Sequence, residues 1–512
     1  MTAEQCATAA PEPGPSPLRR LTRDEYNHTL HDLLNDSTAP GNAFPGEELG
    51  LNFPNNADAQ AVSSLLIEGY ESASMELSTT AIAALPQFLG CDPATAGEDP
   101  CAKSFISSFG LKAYRHPLPA EEVDYLFAFY SASKTAYDFP TAVRMTLQAM
   151  LQSPQFLYRL EVLGSQKVTR LSGYEIASRL SYLLWSTMPD SALLDAAASG
   201  GLDTAAGVAQ QAERMLGDPR GQQSVSIFFE NWLDLQRLKR ADPKDPAAFP
   251  TFTPALIPLL RQENDLFLSD LFFTGGDLKT LLLADYSFMN KPLADYYKLT
   301  GPTGDAFEKV TLDSSKRFGF LTQAGFLAGF GKVNETGPVQ RGLFVRERLL
   351  CNPPDPPPAN VPPLPPSDGT LTTRERLALH RESAACAGCH VLMDPIGFAF
   401  EHYDGAGSWR DTENGGPIDA TGDLTATDVD GPFDGAAEFV DKLSQSEQVQ
   451  DCAVRQWFRY GYGRGESQVD GCNLLKLETT FSESGGSFKA LVLALTQSDA
   501  FLYRTNEAGA SP

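Results

Sequence analysis

Two cysteines and a histidine stand at a spacing that could attach a haem covalently. The stretch Cys386-Ala387-Gly388-Cys389-His390 has the Cys-x-x-Cys-His pattern, in which two thiols add to the two haem vinyl groups and the adjacent histidine reaches the iron axially. Cysteine and histidine are scarce, with 8 and 6 copies in 512 residues. A chance match is therefore expected only about 0.002 times. The sequence predicts one covalent haem c, with His390 as the proximal iron ligand.

The same residues fit two other kinds of site. Cys386 and Cys389 could form half of a structural zinc site or a redox disulfide. A zinc site would need two further ligands, and His380, His390 or His402 could supply them. Both alternatives predict a chain without haem. The oxidised state that we expect for the other cysteines suits haem attachment better.

The sixth position of the iron decides the kind of activity. A Met or His ligand there favours electron transfer, whereas an open position permits oxygen or peroxide chemistry. His380, on the helix predicted before the motif, is the first candidate for the distal ligand. His402 lies far enough along the chain to fold back, and Met393, three residues after His390, is expected on the proximal side. The sequence leaves the distal ligand open.

Two residues after the motif could contact the haem itself. Arg410 could pair with a haem propionate, because a guanidinium matches a carboxylate bidentately. Trp409 could line the haem edge. The alternative for both is a salt bridge from Arg410 to Glu401 or Asp404 beside a packed indole. The two interpretations have equal support from the sequence.

Charge and hydropathy narrow the range of partners. The net charge of −25 disfavours nucleic acid, since phosphate binding needs a basic surface, and it disfavours adsorption to anionic lipid. No run of about 18 apolar residues exists, so we expect no transmembrane segment. The remaining partners are a redox protein or a small-molecule or polysaccharide substrate.

Six cysteines lie outside the motif, an even number that suits an oxidised set. Cys91 and Cys101 flank a turn-rich segment, and Cys452 and Cys472 flank a Gly-rich one, so both spacings predict local disulfides. Cys6 with Cys351 would be the remaining pair. Disulfides of this kind belong to an oxidising compartment. We therefore expect an exported protein, in the periplasm, on the outer surface or secreted.

The first residues do not have the pattern of a signal peptide. Met1-Thr2-Ala3-Glu4-Gln5-Cys6 lacks the basic and apolar regions that direct export. Haem attachment to this motif needs export, so we interpret the sequence as a mature or trimmed form.

Most of the chain has amphipathic helical periodicity, which predicts a mainly α, multidomain helical protein. Thr22 with Glu25, and Ser172 with Glu175, have the spacing of capping boxes that open helices. The best strand signal is residues 418–424, predicted as a short β-hairpin with Gly422 at its turn, near the C-terminal haem segment. Helices are predicted over residues 22–34, 61–80, 120–135, 172–185, 222–235, 254–273, 339–350, 372–385 and 436–443.

Composition and motifs suggest seven segments. Nine prolines among residues 353–366 exclude helix and predict an extended polyproline II strap. The predicted divisions are a flexible tail over 1–18, an N-terminal helical domain over 19–84, a helical module over 85–163, a central helical domain over 164–305, a strap and haem domain over 306–430, a second helical module over 431–506 and a tail over 507–512.

The two predicted modules carry an internal repeat. Tyr114–Glu121 leads to Gln152–Arg159, and Phe458–Glu466 leads at nearly the same spacing to Gln497–Arg504. The later stretches share a Phe-Leu-Tyr-Arg ending. We interpret the two regions as related helical modules, one on each side of the proline strap.

Several stretches together resemble a known group of proteins. The chain is similar to exported multidomain proteins of planctomycetes and myxobacteria that are made of consecutive domains of unknown function with a planctomycete-type cytochrome c motif. The resemblance implies haem and export, a loose link to polysaccharide breakdown, and no established reaction; it favours His380 over Met393 and His402 as distal ligand. The matching stretches are Leu18–Asn27, Asn55–Asp58, Tyr114–Leu118, Ser178–Trp185, Gly319–Gln323, Pro338–Gly342 and His380–Arg410.

Three functional hypotheses follow from these observations. The leading one is an exported monohaem c-type protein that passes electrons to or from a redox partner. The second is an enzyme, either a haem-dependent oxidase or peroxidase or a carbohydrate-active protein with an accessory haem. The third is a non-catalytic surface scaffold in which the Cys-x-x-Cys-His motif holds structural zinc or a disulfide.

Overall fold

Two helices begin with the reciprocal hydrogen bonds that their sequences predict. The Thr22 hydroxyl accepts from the backbone N–H of Glu25, and the Glu25 carboxylate accepts from the N–H of Thr22. Ser172 and Glu175 form the same pair of bonds. Each box satisfies donors that the first turn of a helix leaves without partners. The predicted starts of both helices are confirmed.

The computed structural model describes residues 3–162, 164–356, 369–380 and 384–506. Helices hold 57% of the residues and strands 7%, which confirms the mainly α prediction. The first helices are α1 Ala3–Thr8, α2 Arg23–Leu34, α3 Ser64–Ile82, α4 Leu85–Leu89, α5 Pro93–Ala96, α6 Glu98–Tyr114, α7 Ala120–Ala136, α8 Phe139–Leu151, α9 Pro154–Leu157, α10 Gly173–Leu184, α11 Ser191–Ala198, α12 Ala205–Leu216 and α13 Arg220–Trp232.

The remaining described helices lie between residues 237 and 502, and a π-helical stretch over Val345–Leu349 directly follows α19. They are α14 Arg237–Arg240, α15 Leu256–Phe273, α16 Leu278–Leu283, α17 Lys291–Tyr297, α18 Ala324–Gly329, α19 Pro338–Phe344, α20 Thr373–His380, α21 Ala384–Phe398, α22 Gly435–Gln445, α23 Glu447–Tyr462, α24 Gly471–Glu483, α25 Phe488–Leu495 and α26 Asp499–Leu502. Most of the predicted proline strap lies outside the described residues.

The described strands form two-stranded antiparallel sheets, which pair as β1–β2, β3–β10, β4–β5, β6–β7 and β8–β9. They are β1 Arg19–Arg20, β2 Tyr158–Arg159, β3 Val168–Arg170, β4 Tyr286–Met289, β5 Glu308–Thr311, β6 Thr412–Glu413, β7 Gly416–Pro417, β8 Thr421–Leu424, β9 Gly431–Asp434 and β10 Tyr503–Thr505.

The predicted hairpin near the haem segment is present, but its turn is not at Gly422. Gly422 lies within β8, directly opposite Phe433 of β9, and the chain turns over residues 425–430. A Cβ at Gly422 would come within 2.3 Å of the Phe433 ring. The glycine therefore makes room for an aromatic ring across the sheet and does not form the turn.

Backbone contacts divide the chain into two units. The first comprises the described residues of 1–225, 457–477 and 492–512, and the second those of 226–456 and 478–491. The core of the first contains Tyr26, Leu30, Phe105, Leu147 and Phe156, and a cluster in the second contains Leu260, Met289, Leu293, Ala324 and Ala406.

The disulfides confirm one predicted pair and correct two. Cys91 bonds to Cys101 as expected. The predicted pairs Cys452–Cys472 and Cys6–Cys351 are wrong, because Cys6 bonds to Cys472 and Cys351 bonds to Cys452. Helix α23 extends ten residues beyond Cys452 to Tyr462, which carries the chain about 15 Å away before the Gly-rich stretch begins. The short sequence spacing therefore did not indicate a short distance in space.

The internal repeat has a structural counterpart in the first unit. Strand β2 pairs with β1, and β10 pairs with β3. The N–H of Leu21 donates to the carbonyl of Leu157 at 2.9 Å, and the N–H of Leu171 donates to that of Leu502 at 3.0 Å. Each pairing is followed by a helix with a capping box. The equivalent segments thus include the strands before α2 and α10, which the sequence analysis did not assign to the repeat.

An arginine holds each Phe-Leu-Tyr-Arg segment, and the side chain of Arg115 is buried while that of Arg179 is partly buried. Arg115, at the C-terminus of α6, and Arg179, on α10, each donate to three backbone carbonyls. The acceptors are Gln155, Phe156 and Tyr158 for Arg115, and Ala500, Phe501 and Tyr503 for Arg179. The two segments are equivalent in sequence, but their arginines come from different positions in the chain.

Glu263 is fully buried in the second unit, and its protonation should control stability. Its carboxyl accepts from the hydroxyls of Ser287 and Tyr297, both at 2.7 Å. Burial raises the pKa of Glu263 from 4.5 to about 7. The folded state therefore keeps a proton between pH 4.5 and 7 that the unfolded state has lost, and stability falls as the pH rises through this interval.

We predict that Glu263→Gln removes this pH dependence. At pH 8 the variant should be more stable than the wild type by about 3 kcal/mol, since one pKa unit corresponds to about 1.4 kcal/mol. At pH 4.5 or below the difference should be small. Urea unfolding at both pH values measures it, with the exposed Glu68→Gln as the control variant. An equal difference between Glu263→Gln and wild type at both pH values would contradict the prediction.

Candidate haem-attachment site

Helix α21 carries the Cys-x-x-Cys-His motif and crosses α19 at very short distance. A Cβ at Gly342 of α19 would lie 1.9 Å from the carbonyl oxygen of Met393. A Cβ at Gly397 of α21 would lie 2.0 Å from that of Pro338. Only glycine permits this approach of two backbones. The crossing fixes the helix that presents the motif.

Arg346 connects α21 to the neighbouring hairpin. Its Nε donates to the carbonyl of Leu392 at 3.0 Å, and its NH2 group donates to the carbonyl of Thr425 in the β8–β9 turn. The side chain is almost completely buried. Pro395 stands inside α21 and supplies no N–H to the preceding turn. The arginine thus provides a hydrogen-bond donor next to the part of the helix where the proline removes one.

His390 is oriented by a buried carboxylate. Its Nδ1 lies 2.9 Å from Oδ1 of Asp394, one helical turn further on. The Asp394 side chain is 0% exposed and that of His390 is 14% exposed. With Nδ1–H donating to the carboxylate, the neutral ring carries its lone pair on Nε2. The arrangement is that of a histidine ligand with a supporting carboxylate.

Cys389 is a partly exposed thiol. Among the cysteine side chains that the structure describes, it is the one outside a disulfide, and its Sγ lies 3.7 Å from the carbonyl oxygen of Asp355. The side chain of Cys386 lies outside the described ones, as does that of His380 at the end of α20. The structure therefore describes two of the three predicted attachment residues, Cys389 and His390, as adjacent residues of one helix.

Arg410 and Trp409 have protein partners. Arg410 donates to the backbone carbonyl of Glu401 and to its Oε2, both at 2.9 Å, and lies 3.3 Å from Glu413. Trp409 stacks on His402 with ring centroids 4.7 Å apart and planes at 7°. These contacts are those of the alternative that the sequence offered, a salt bridge beside a packed indole.

The two other candidate ligands are also engaged. The Nδ1 of His402 lies 3.0 Å from the carbonyl oxygen of Arg410, which leaves Nε2 as its remaining nitrogen. Met393 is buried, and its backbone lies at the crossing with α19. Within the described part of the chain, no group of three or more His, Cys, Asp or Glu side chains is arranged to hold a metal ion.

Arg341 supports the turn after α21, a role that the sequence analysis did not assign. It is fully buried, lies 3.7 Å from Glu401, and burial lowers its pKa to about 10. Burial also raises the pKa of Glu401, against the effect of Arg410 and Arg341. The backbone acceptors of Arg341 are the carbonyls of Leu327, Phe400, Tyr403 and Asp404.

We predict opposite effects for two glycine-to-alanine changes in α21. Gly397→Ala should destabilise the protein by about 3 kcal/mol, because the new methyl group must push α19 and α21 apart. Gly388→Ala should leave stability unchanged or raise it by up to about 1 kcal/mol, because its position is exposed with open space around it and alanine favours helix. Thermal unfolding of both variants measures the difference, and equal melting temperatures would contradict the close crossing.

Family models match most of the chain in consecutive order. Each is described as a protein of unknown function: DUF1587 over residues 19–83, DUF1595 over 101–161, DUF1592 over 171–299, DUF1588 over 317–413 and DUF1585 over 430–501. No curated protein and no solved structure matches the chain. Among the described residues, no helix is both long and apolar enough to cross a membrane. The five consecutive matches confirm the resemblance seen in the sequence, and the chain belongs to the multidomain proteins built from these domains of unknown function.

Proposed function

We propose that the chain is an exported c-type monohaem protein that transfers electrons to or from a redox partner. The observation that carries the proposal is the arrangement on α21, where the Cys389 thiol is next to His390 and a buried carboxylate holds the Nδ1 of that histidine. The match over residues 317–413 adds support, because the model is named PSCyt3, a name that suggests a cytochrome.

The described residues fit a covalently attached haem. A thioether bond needs a thiol that is not in a disulfide, and Cys389 provides one. An axial bond is made by one ring nitrogen, and with Nδ1 held by Asp394 that nitrogen would be Nε2 of His390. Leu379 of α20 and Val391 of α21, the residue after His390, are 57% and 52% exposed. These side chains offer apolar surface to an apolar group.

When bound, haem supplies a one-electron couple at its iron. The protein's own residues determine the reduction potential of that couple. Asp394 holds the Nδ1 proton of His390 and makes the imidazole more basic. The crossing of α19 with α21, together with Arg346, fixes the ring's position. Export is supported by the disulfides, since these form and persist in oxidising compartments.

We expect the chain to acquire one haem when a host with cytochrome c maturation exports it. The pyridine haemochrome spectrum and the mass of the denatured protein measure attachment. Cys389→Ser should lose the normal c-type spectrum, because one thioether bond can no longer form. The matched control is the double variant Cys351→Ser, Cys452→Ser, which removes a disulfide and leaves the motif intact.

The outcomes distinguish the hypotheses. A six-coordinate, low-spin spectrum that does not change when carbon monoxide or cyanide is added supports electron transfer. A high-spin spectrum that responds to these ligands would instead support a haem oxidase or peroxidase. A product that carries zinc or no cofactor after such expression would refute the haem proposal.

Asp394→Asn provides a separate test of the histidine's environment. Asparagine keeps the shape and the hydrogen bond but removes the negative charge, so the imidazole becomes less basic and stabilises oxidised iron less. The reduction potential of the variant should therefore rise while its haem content stays the same. The exposed Asp441→Asn serves as the control for charge, and an unchanged potential in Asp394→Asn would contradict the proposed role.

A further inference from the structure

Two arginines face each other across the small sheet at the start of the first unit. Arg19 of β1 and Arg159 of β2 are directly paired residues in the antiparallel register. Both are buried, with 8% and 9% of their surface exposed. Like charges placed opposite each other in a sheet destabilise it, and burial increases this cost. The pair therefore needs compensation from negative charge.

The described carboxylates around the pair do not supply enough compensation. Glu25 lies 3.9 Å from Arg19, a long ion pair. Glu161 has both oxygens engaged by Arg179, at 2.6 and 2.8 Å. The Nε atoms of Arg19 and Arg159 are buried and have no hydrogen-bond partner among the described residues. Burial and the charge of Arg19 lower the pKa of Arg159 to about 9.

A small cavity lies where these guanidinium groups meet. It measures about 30 Å³, and its lining includes Arg19, Arg159, Arg179 and Arg464 but a single acidic residue, Glu161. Arg464 is neutralised by Asp470, with contacts of 2.7 and 2.8 Å. The surplus positive charge of the cavity thus belongs to Arg19 and Arg159.

The N-terminal segment forms one wall of this cavity. Pro15, Ser16 and Pro17 line it, and the Thr505 hydroxyl donates to the carbonyl of Gly14 at 2.8 Å. Gly14 has a φ of +71°, and a Cβ there would collide with the Arg464 guanidinium at 2.4 Å. The segment is therefore placed specifically across the arginines.

We propose that this cavity binds one small oxyanion, such as phosphate, sulfate or a carboxylate group, between Arg19 and Arg159. A guanidinium presents paired N–H donors that match the oxygens of such anions. The hydroxyl of Ser16 provides a further polar group in the wall. The cavity has room for one small anionic group. The bound anion joins the N-terminal segment to β1 and β2 by accepting hydrogen bonds from both arginines.

Thermal unfolding of the full-length chain tests the proposal. Inorganic phosphate, sulfate and acetate are titrated at constant ionic strength, with chloride as the reference anion. We expect at least one oxyanion to raise the melting temperature of the wild type by about 3–5 °C at saturation. Isothermal titration calorimetry with the same anion should show one site per chain.

Arg159→Met should abolish this response and still fold. Without oxyanion its melting temperature should equal or exceed that of the wild type, because the change removes a buried charge that forms a cation–π contact with Tyr182 but no ion pair among the described residues. Arg144→Met, which alters a partly exposed arginine of α8, is the matched control and should respond as the wild type does. The proposal is overturned if no oxyanion stabilises the wild type more than chloride does, or if Arg159→Met responds as strongly as Arg144→Met.

Discussion

Buried and partly buried arginine side chains that donate to backbone carbonyls hold together segments that are distant in sequence. Arg115 and Arg179 each bind three consecutive or nearly consecutive carbonyls, and Arg341 and Arg346 fasten both ends of the region around α21. A carbonyl in an irregular segment has no partner in a helix or sheet ladder, and leaving it buried and unpaired is costly. Some strands have only two residues, so the sheets pair few backbone groups. The fold therefore depends on these arginines to donate hydrogen bonds to the backbone carbonyls of the loops that connect its helices.

The local part of the fold was predictable because it depends on nearby residues. Capping boxes at Thr22 and Ser172 mark helix starts, and periodicity finds the long helices, since both signals operate within a few positions of the chain. The pairing of Cys6 with Cys472 and the carbonyl acceptors of Arg341 depend on the tertiary arrangement. Neither could be predicted without an alignment or a structure. The short spacing between Cys452 and Cys472 predicted a wrong disulfide, because a helix separates Cys452 from the glycines that follow it.

The candidate site was partly predictable for the same reason. The spacing of Cys386, Cys389 and His390 predicts haem attachment, since that chemistry needs these residue types in this order. Asp394 lies one helical turn after His390, but the helix predicted from the sequence ends at residue 385, so the sequence did not place the two side chains together. Proline is accommodated here because Arg346 and the close crossing with α19 hold the surrounding backbone. The contacts that support the site therefore come from residues that are distant in sequence, whereas its reactive groups are close together in the sequence.

The Cys6–Cys472 bond spans 466 positions and has a consequence for biosynthesis. A chain that is exported from its N-terminus brings Cys6 into the oxidising compartment long before Cys472, whereas Cys91 and Cys101 arrive much sooner after it. Strand β3 likewise cannot form its two-stranded sheet until β10, near the other end of the chain, is present. The first unit cannot reach its native connectivity during synthesis of its own N-terminal half. Before Cys472 arrives, an oxidant can pair Cys6 only with a non-native thiol, and delayed oxidation or disulfide exchange then gives the native bond.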